Sequence, residues 1–267
     1  MTLATSGHAR TLILGVINIT PDSFSDGGKY LDPQAALTQI DQLLKDGADG
    51  IDLGAESTRP GSMPVDQEEE WRRLAPVLEQ WKSSPRKALL SIDTCKPEIM
   101  RRCLDYPVDV INDVSGWADR RTLEAIAAKG CTYLSMHRHG HSVDMQVQPL
   151  DGQLALEQVS AFYEAAYRSL REAGFSEERI WLDPGIGFGK TDRANLGLLR
   201  QALQSVAQYH IVLGISRKSF LGRLLDIPEP SDRDSASKML ELSFLWAGVR
   251  AIRTHDVKRL SKIRDLL

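Results

Sequence analysis

The stretch that decides the fold is Thr11-Leu12-Ile13-Leu14-Gly15-Val16-Ile17-Asn18-Ile19-Thr20-Pro21-Asp22-Ser23. Its first half, Thr11 to Val16, is apolar and branched but too short for a helix, which is the pattern of a strand buried on both faces. Its second half leads into the next element and holds no GxGxxG. A doubly wound open sheet would carry that glycine-rich phosphate fingerprint in its first strand-to-helix turn. The open sheet is therefore discounted, and a closed barrel is the other architecture that alternating strands and helices allow.

Runs of the same kind recur at Gly50 to Leu53, Ala88 to Ile92, Asp109 to Ile111, Thr132 to Met136, Ile180 to Leu182, Ile211 to Ile215 and Ala251 to Arg253. Between them lie segments with helical periodicity, such as Pro33 to Lys45, Gln67 to Trp81, Pro97 to Leu104, Arg121 to Lys129, Leu154 to Glu172 and Asn195 to Ala207. Pro33 and Pro97 suit first helical turns, Asp32, Asp66 and Asp192 suit the positions before them, and Gly47, Gly130 and Gly174 suit helix ends. About eight strand-helix units of about 30 residues make up the size of a TIM barrel. With no linker between units, the expectation is one α/β domain over 1–267, a (β/α)8 TIM barrel.

Composition narrows the function. At 42% hydrophobic and 26% charged residues, with no biased tract, the chain has the make-up of a folded globular protein. Lys and Arg total 33 against 36 Asp and Glu, so the net charge of −3 supplies no basic face for wrapping nucleic acid. Any anionic ligand must be caught locally. No window approaches the roughly 20 apolar residues of a membrane span, and no signal-peptide pattern opens the chain, so a cytoplasmic location is expected. Cys95, Cys103 and Cys131 are odd in number and lack CxxC spacing, which suggests small buried hydrophobes instead of disulfides or a zinc knuckle.

The residues that follow the strands are polar: Asn18, Glu56-Ser57-Thr58-Arg59, Asp93, Asn112-Asp113, His137, Asp183, Ser216-Arg217-Lys218 and Arg253-Thr254-His255. In a barrel these ends converge on one mouth, where active sites form. Any one of them could instead be a turn or cap; Asp93 could cap the helix near Pro97, and Asp183 could serve the turn at Pro184. As a set, carboxylates and an amide suit a heterocycle edge, because carboxylates accept from ring N–H groups while an amide both donates and accepts.

Gly185-Ile186-Gly187-Phe188-Gly189 lets backbone approach a ligand, with Phe188 as a ring wall. Lys218 and Arg253 follow the seventh and eighth strands, where barrels often bind phosphate. A Schiff-base role for Lys218 is the weaker alternative. No GxSxG elbow supports a serine hydrolase. His137, His139 and His141 lack a matching partner for zinc and read as a solvated loop.

Seven ordered segments carry a resemblance to the bacterial dihydropteroate synthase family from about Leu12 to about Lys258. They are Gly15 to Gly28, Glu56 to Gly61, Ser91-Ile92-Asp93-Thr94, Ile111-Asn112-Asp113, Asp183 to Lys190, Ser216-Arg217-Lys218-Ser219 and Arg253-Thr254-His255-Asp256. The resemblance implies condensation of 6-hydroxymethyl-7,8-dihydropterin diphosphate with 4-aminobenzoate, giving 7,8-dihydropteroate and pyrophosphate in folate synthesis. It places Asp93, Asn112 and Asp183 on the pterin, with Lys218 beside it. Asn18, Arg253 and His255 would hold the diphosphate, Asn18 and Asp22 through Mg²⁺. Phe24, Thr58, Arg59, Pro60 and Ser219 would surround the aminobenzoate. Asp93, Lys218, Arg253 and His255 are the expected catalytic set.

A homodimer is implied by the resemblance alone, and the apolar Leu240, Leu242, Phe244, Leu245 and Trp246 stretch could serve an interface or the barrel's outer core, with the core slightly favoured. Three positions depart from the family pattern: Ala55, the segment His137-Arg138-His139-Gly140, and Asp234-Ser235-Ala236-Ser237 in place of a Gly-Ser pair. A corrinoid-linked pterin methyltransferase and a non-catalytic pterin-binding paralogue are the rival readings. The first would have no use for Ser57-Thr58-Arg59-Pro60 or a diphosphate pocket.

Overall fold

Each apolar run forms a strand. In the computed structural model, which describes residues 10–20, 33–57, 61–140 and 143–267, these are β1 (Leu12–Asn18), β2 (Gly50–Gly54), β3 (Leu89–Asp93), β4 (Val110–Asp113), β5 (Thr132–Met136), β6 (Ile180–Asp183), β7 (His210–Gly214) and β8 (Ala251–Thr254). The helices are α1 (Pro33–Lys45), α2 (Gln67–Ser83), α3 (Pro97–Cys103), α4 (Arg120–Lys129), α5 (Gly152–Glu172), α6 (Asp192–Ser205), α7 (Ser219–Leu225), α8 (Asp234–Ala247) and α9 (Val257–Arg264). Neighbouring strands pair in parallel and the sheet closes in the order β1 to β8. The expected (β/α)8 barrel is the fold.

Helix starts follow cap chemistry. The Asp66 carboxylate accepts from Glu69 N at 3.0 Å and that of Asp119 from Thr122 N at 3.0 Å, each satisfying an otherwise orphaned amide. One expected boundary is corrected: α6 begins at Asp192, three residues before Asn195, because the Thr191 hydroxyl accepts from Ala194 N at 3.2 Å and caps it there. Asp93 is not a cap either, since Lys96 holds the N-cap position of α3.

The two-residue period of the strands divides the chain into two cores. Ile13, Ile17, Ile51, Leu53, Ile92, Ile111, Leu182, Leu213 and Ile252 face the helices in one large cluster, whereas Leu14, Val110, Leu134, Trp181, Val212 and Ala251 form a small plug inside the barrel. A fully buried Leu or Ile contributes about 1.5–3 kcal/mol, so the larger outer layer dominates stability. The upper lumen is thereby released to carry polar groups. In α8, Phe244 is buried and Leu240 and Leu245 pack on the core as expected, but Trp246 is 74% exposed. Among the described residues no helix is long and apolar enough to cross a membrane.

Candidate active site

Two residues beyond the plug on the same strand faces stand Asn112, Asp183 and Arg253, and the register sets Gly54 beside Asp93 and Asp93 beside Asn112. Alternation thus aims the strand-end polar groups into the lumen. One layer lower, Asp52 pairs in register with Ser91. Its carboxylate accepts from Ser91 Oγ at 2.6 Å, from Asn112 Nδ2 at 3.2 and 3.3 Å, and from Arg253 Nε at 2.7 Å. Arg253 also donates through Nη2 to Asp93 Oδ2 at 3.0 Å, and its Nη1 lies 3.9 Å from Asp183 Oδ2. A single guanidinium therefore balances three carboxylates.

Burial, opposed by Arg253 and reinforced by the neighbouring Asp52 charge, pushes the Asp93 carboxyl up to about 7. Lys218 is brought down to about 8, first by burial and then by Arg253, with Asp183 and Asp93 opposing. Its Nζ donates to Ile186 O and lies 4.8 Å from the centre of the Phe188 ring. Three buried acceptors at this mouth, Asp93 Oδ1, Asn112 Oδ1 and Asp183 Oδ2, have no hydrogen-bond partner among the described residues. Buried oxygens of that kind are costly when left alone, and a ligand edge rich in N–H donors would satisfy them.

The loop after β6 forms the side of the site. A Cβ on Gly185, at φ +66°, would stand 1.8 Å from His137 O, and one on Gly189, at φ +69°, 2.0 Å from His139 O. These two glycines are dictated by close backbone approach. Lys190 ties the loop together: its buried Nζ donates to Gly185 O and Phe188 O at 2.9 Å and to His137 O at 3.2 Å. Burial brings its amine down to about 7, with Lys218 adding to the effect and Asp183 opposing it. Lys190→Met removes all three bonds, leaving Gly185 O and Phe188 O with one backbone donor each and depriving His137 O of its lysine donor, and is expected to cost about 2–4 kcal/mol, read as a drop in thermal midpoint of about 5–15 °C.

After β7, Arg217 adopts φ 61°, a left-handed conformation unusual for a side-chain-bearing residue. It is held by two bonds to Asp234, at 2.8 and 2.9 Å, and by its amide donating to Ser237 Oγ at 3.3 Å. The departure at Asp234 to Ser237 is thus a clamp on the loop that carries Lys218. Ser219 opens α7 and is exposed. His255 Nδ1 lies 3.1 Å from Ser216 Oγ, and that hydroxyl also accepts from the His255 amide at 3.2 Å.

Asp93, Asn112, Asp183, Arg253, Phe188 and Lys218 are brought together as expected, with His255 and Ser219 on the same rim through the loops after β8 and β7. Arg253, expected over the diphosphate, lies deeper on Asp52 and Asp93. Asp22, Phe24, Thr58, Arg59 and Pro60 lie outside the described residues. The loop that follows β2 is tied at its base, where Lys96 bonds both Glu56 and the buried Glu70. His137 corrects the expectation of a solvated loop: it is buried, its ring centre is 5.3 Å from that of Phe162, and burial pushes it down to about 3. Asp113 faces away from the lumen and accepts from the Tyr133 hydroxyl.

Asp52 and Lys190 are the two residues that sequence reasoning missed. The signal for Asp52 was present, since a lone carboxylate inside the apolar run Gly50 to Leu53 demands a buried partner. For Mg²⁺, no group of three or more His, Cys, Asp or Glu side chains that could hold a metal is found among the described residues. Asn18, at the end of β1, offers one amide oxygen. That set suits a cation bound chiefly by substrate phosphates and water, as Mg²⁺ commonly is.

A family model described as "Pterin binding enzyme" matches residues 14–255, and the chain belongs to that family. Its relatives include the dihydropteroate synthase of Neisseria meningitidis serogroup C, 38% identical over 94% of this chain and 90% of that one. That of Escherichia coli K12 is 37% identical over 92% and 86%. Among solved structures, Xanthomonas albilineans dihydropteroate synthase with 4-aminobenzoic acid superposes with a TM-score of 0.87 at 33% identity, covering 96% of this chain and 92% of that one. The same enzyme in complex with 7,8-dihydropteroate gives 0.84 at 31% identity over 96% and 92%. These dihydropteroate synthase relatives place the protein among the transferases of folate synthesis.

Proposed function

We propose that this protein is a dihydropteroate synthase, condensing 6-hydroxymethyl-7,8-dihydropterin diphosphate with 4-aminobenzoate to 7,8-dihydropteroate and pyrophosphate. The observation that carries this reading is the set of three buried acceptors without a hydrogen bond among the described residues, Asp93 Oδ1, Asn112 Oδ1 and Asp183 Oδ2, beside two cations, Arg253 and Lys218. Pterin N–H groups match the acceptors, and the diphosphate matches the cations. The relatives' bound 4-aminobenzoic acid and 7,8-dihydropteroate supply both halves of the chemistry.

In this scheme the C–O bond to the diphosphate breaks first and pyrophosphate leaves with the electron pair. The dihydropterin ring delocalises the resulting methylene cation, and the Asp93 carboxylate stabilises it. The amine of 4-aminobenzoate then forms the C–N bond and loses a proton to solvent. Lys218 and His255 would receive the negative charge growing on the leaving group, while Arg253, one layer deeper, offsets the carboxylates around the ring; this is electrostatic stabilisation and not covalent catalysis. Mg²⁺, which Asn18 and Asp22 would hold, supplies further neutralisation of the diphosphate. Phe188 walls the ring, while Phe24, Thr58, Arg59, Pro60 and Ser219 would position the weak aniline nucleophile.

Homodimer formation and a cytoplasmic location belong to the same proposal, the first supported by the exposed Met239 and Trp246 on α8. The test is pyrophosphate release with and without 4-aminobenzoate and Mg²⁺. Release that requires 4-aminobenzoate is expected. Pterin binding with no pyrophosphate release in any mixture would favour the methyltransferase or the non-catalytic paralogue.

A further inference from the structure

We propose that Asp52 is a positioning residue that sets the hydrogen-bonding polarity of the pterin site by dictating the orientation of the Asn112 amide; the proposal rests on the pterin reading above. An asparagine in a lumen wall has two faces, a carbonyl that accepts and an NH₂ that donates, and they differ by a half-turn about one soft torsion. Which face meets the ligand decides whether a ring N–H or a ring acceptor is welcomed. Here both carboxylate oxygens of Asp52 stand 3.2 and 3.3 Å from Asn112 Nδ2. A carboxylate paired with a guanidinium only accepts, so the amide must turn its NH₂ down towards Asp52. Asn112 Oδ1 is thereby left buried and without a partner among the described residues. It joins Asp93 Oδ1 and Asp183 Oδ2, which also lack a hydrogen bond among the described residues, so the three strand ends β3, β4 and β6 each turn an acceptor towards the ligand.

Asp52 makes a second choice in the same layer. By accepting from Arg253 Nε at 2.7 Å it occupies one edge of the guanidinium, so the Nη1 and Nη2 groups are the ones turned towards Asp183 and Asp93. Ser91 Oγ, donating to Asp52 Oδ1 at 2.6 Å, keeps the carboxylate from rotating. Asp52 is 1% exposed and sits a layer below the mouth, so it acts on the ligand only through Asn112 and Arg253.

The test uses the full chain, with 6-hydroxymethylpterin, a ring without diphosphate, as the titrated probe. Asp52→Asn is expected to weaken probe binding about 10-fold, the equivalent of one lost buried hydrogen bond, because the amide at 112 is no longer forced to accept. Asn112→Asp is expected to weaken binding at least as much, since it sets two carboxylates against each other. The exchanged double variant, Asp52→Asn with Asn112→Asp, restores the pattern: the new amide donates upward and the new carboxylate keeps one oxygen facing the ring. Its affinity is expected to return to within about 3-fold of wild type, a non-additivity that only direct coupling produces.

The KM for 4-aminobenzoate should stay unchanged in each active variant. If Asp52→Asn does not fold, Asn112→Asp against the exchanged pair still decides the question. Unchanged probe binding by Asp52→Asn, or an exchanged pair no better than the worse single variant, overturns the proposal alone. A wild-type protein that does not bind the pterin overturns the reading on which it rests as well.

Discussion

Asp93→Asn is expected to lower kcat/KM for the pterin diphosphate by about 10²–10³-fold, the scale on which a single preorganised electrostatic contact acts in a dry site. The amide keeps the shape and one acceptor oxygen but loses the charge that would face the methylene cation. Initial rates of pyrophosphate release measure it, and a loss below about 3-fold would remove Asp93 from the mechanism. The same group sets the pH dependence. Its carboxyl is pushed up to about 7 by burial, so it is protonated and inactive below that pH, and kcat/KM rises as pH climbs through about 7. Lys218 is brought down to about 8 by burial, so its cation is lost above that pH and the rate falls again. The expected profile is a narrow bell, and Lys218→Arg, whose charge does not titrate there, should remove the alkaline limb.

Arg253→Met is expected to cause the largest loss of stability, about 3–5 kcal/mol, because it strips the one guanidinium from three converging carboxylates. In a chain of this size that is a fall of about 6–20 °C in thermal midpoint. The deficit should be greater at pH 8 than at pH 6. Without its partner Asp93 is raised further, so between its unfolded value of 3.8 and its folded value the native state holds more protons than the unfolded chain. Stability then declines as pH rises through that window. Thermal melts of both proteins at the two pH values check the sign. Equal deficits would show that Arg253 contributes packing and not charge balance.

Much of this was legible in one dimension. A two-residue period running into a polar end is a local pattern, and it placed Asp93, Asn112 and Asp183 in the lumen as soon as the strands were recognised. Asp113, one residue on, faces the helices for the same reason, and its partners are Tyr133 and Ser115. Asp52 was hidden because its partners lie far along the chain, Arg253 at a separation of 201 residues. Lys190 was hidden because a lysine after a glycine loop resembles a solvated one, until the loop curls so that three carbonyls surround the ammonium. His137 failed in the same way: its burial against Phe162 depends on α5, which packs over it from a distant segment.

The first strand and the turn that follows it, with no phosphate fingerprint, discounted the open sheet, the eight recurring strand-helix units gave the barrel, and the strand ends gave the chemistry of the mouth. Those are consequences of periodicity and residue type, which are written along the chain. Which edge of Arg253 points where, which way the Asn112 amide turns, and which cations are buried were decided only when the sheet closed. Closure brings Arg253 on β8 within hydrogen-bond reach of the β2 carboxylate, Asp52, that Ser91 on β3 and Asn112 on β4 also reach, and the loss of water there makes each pairing count.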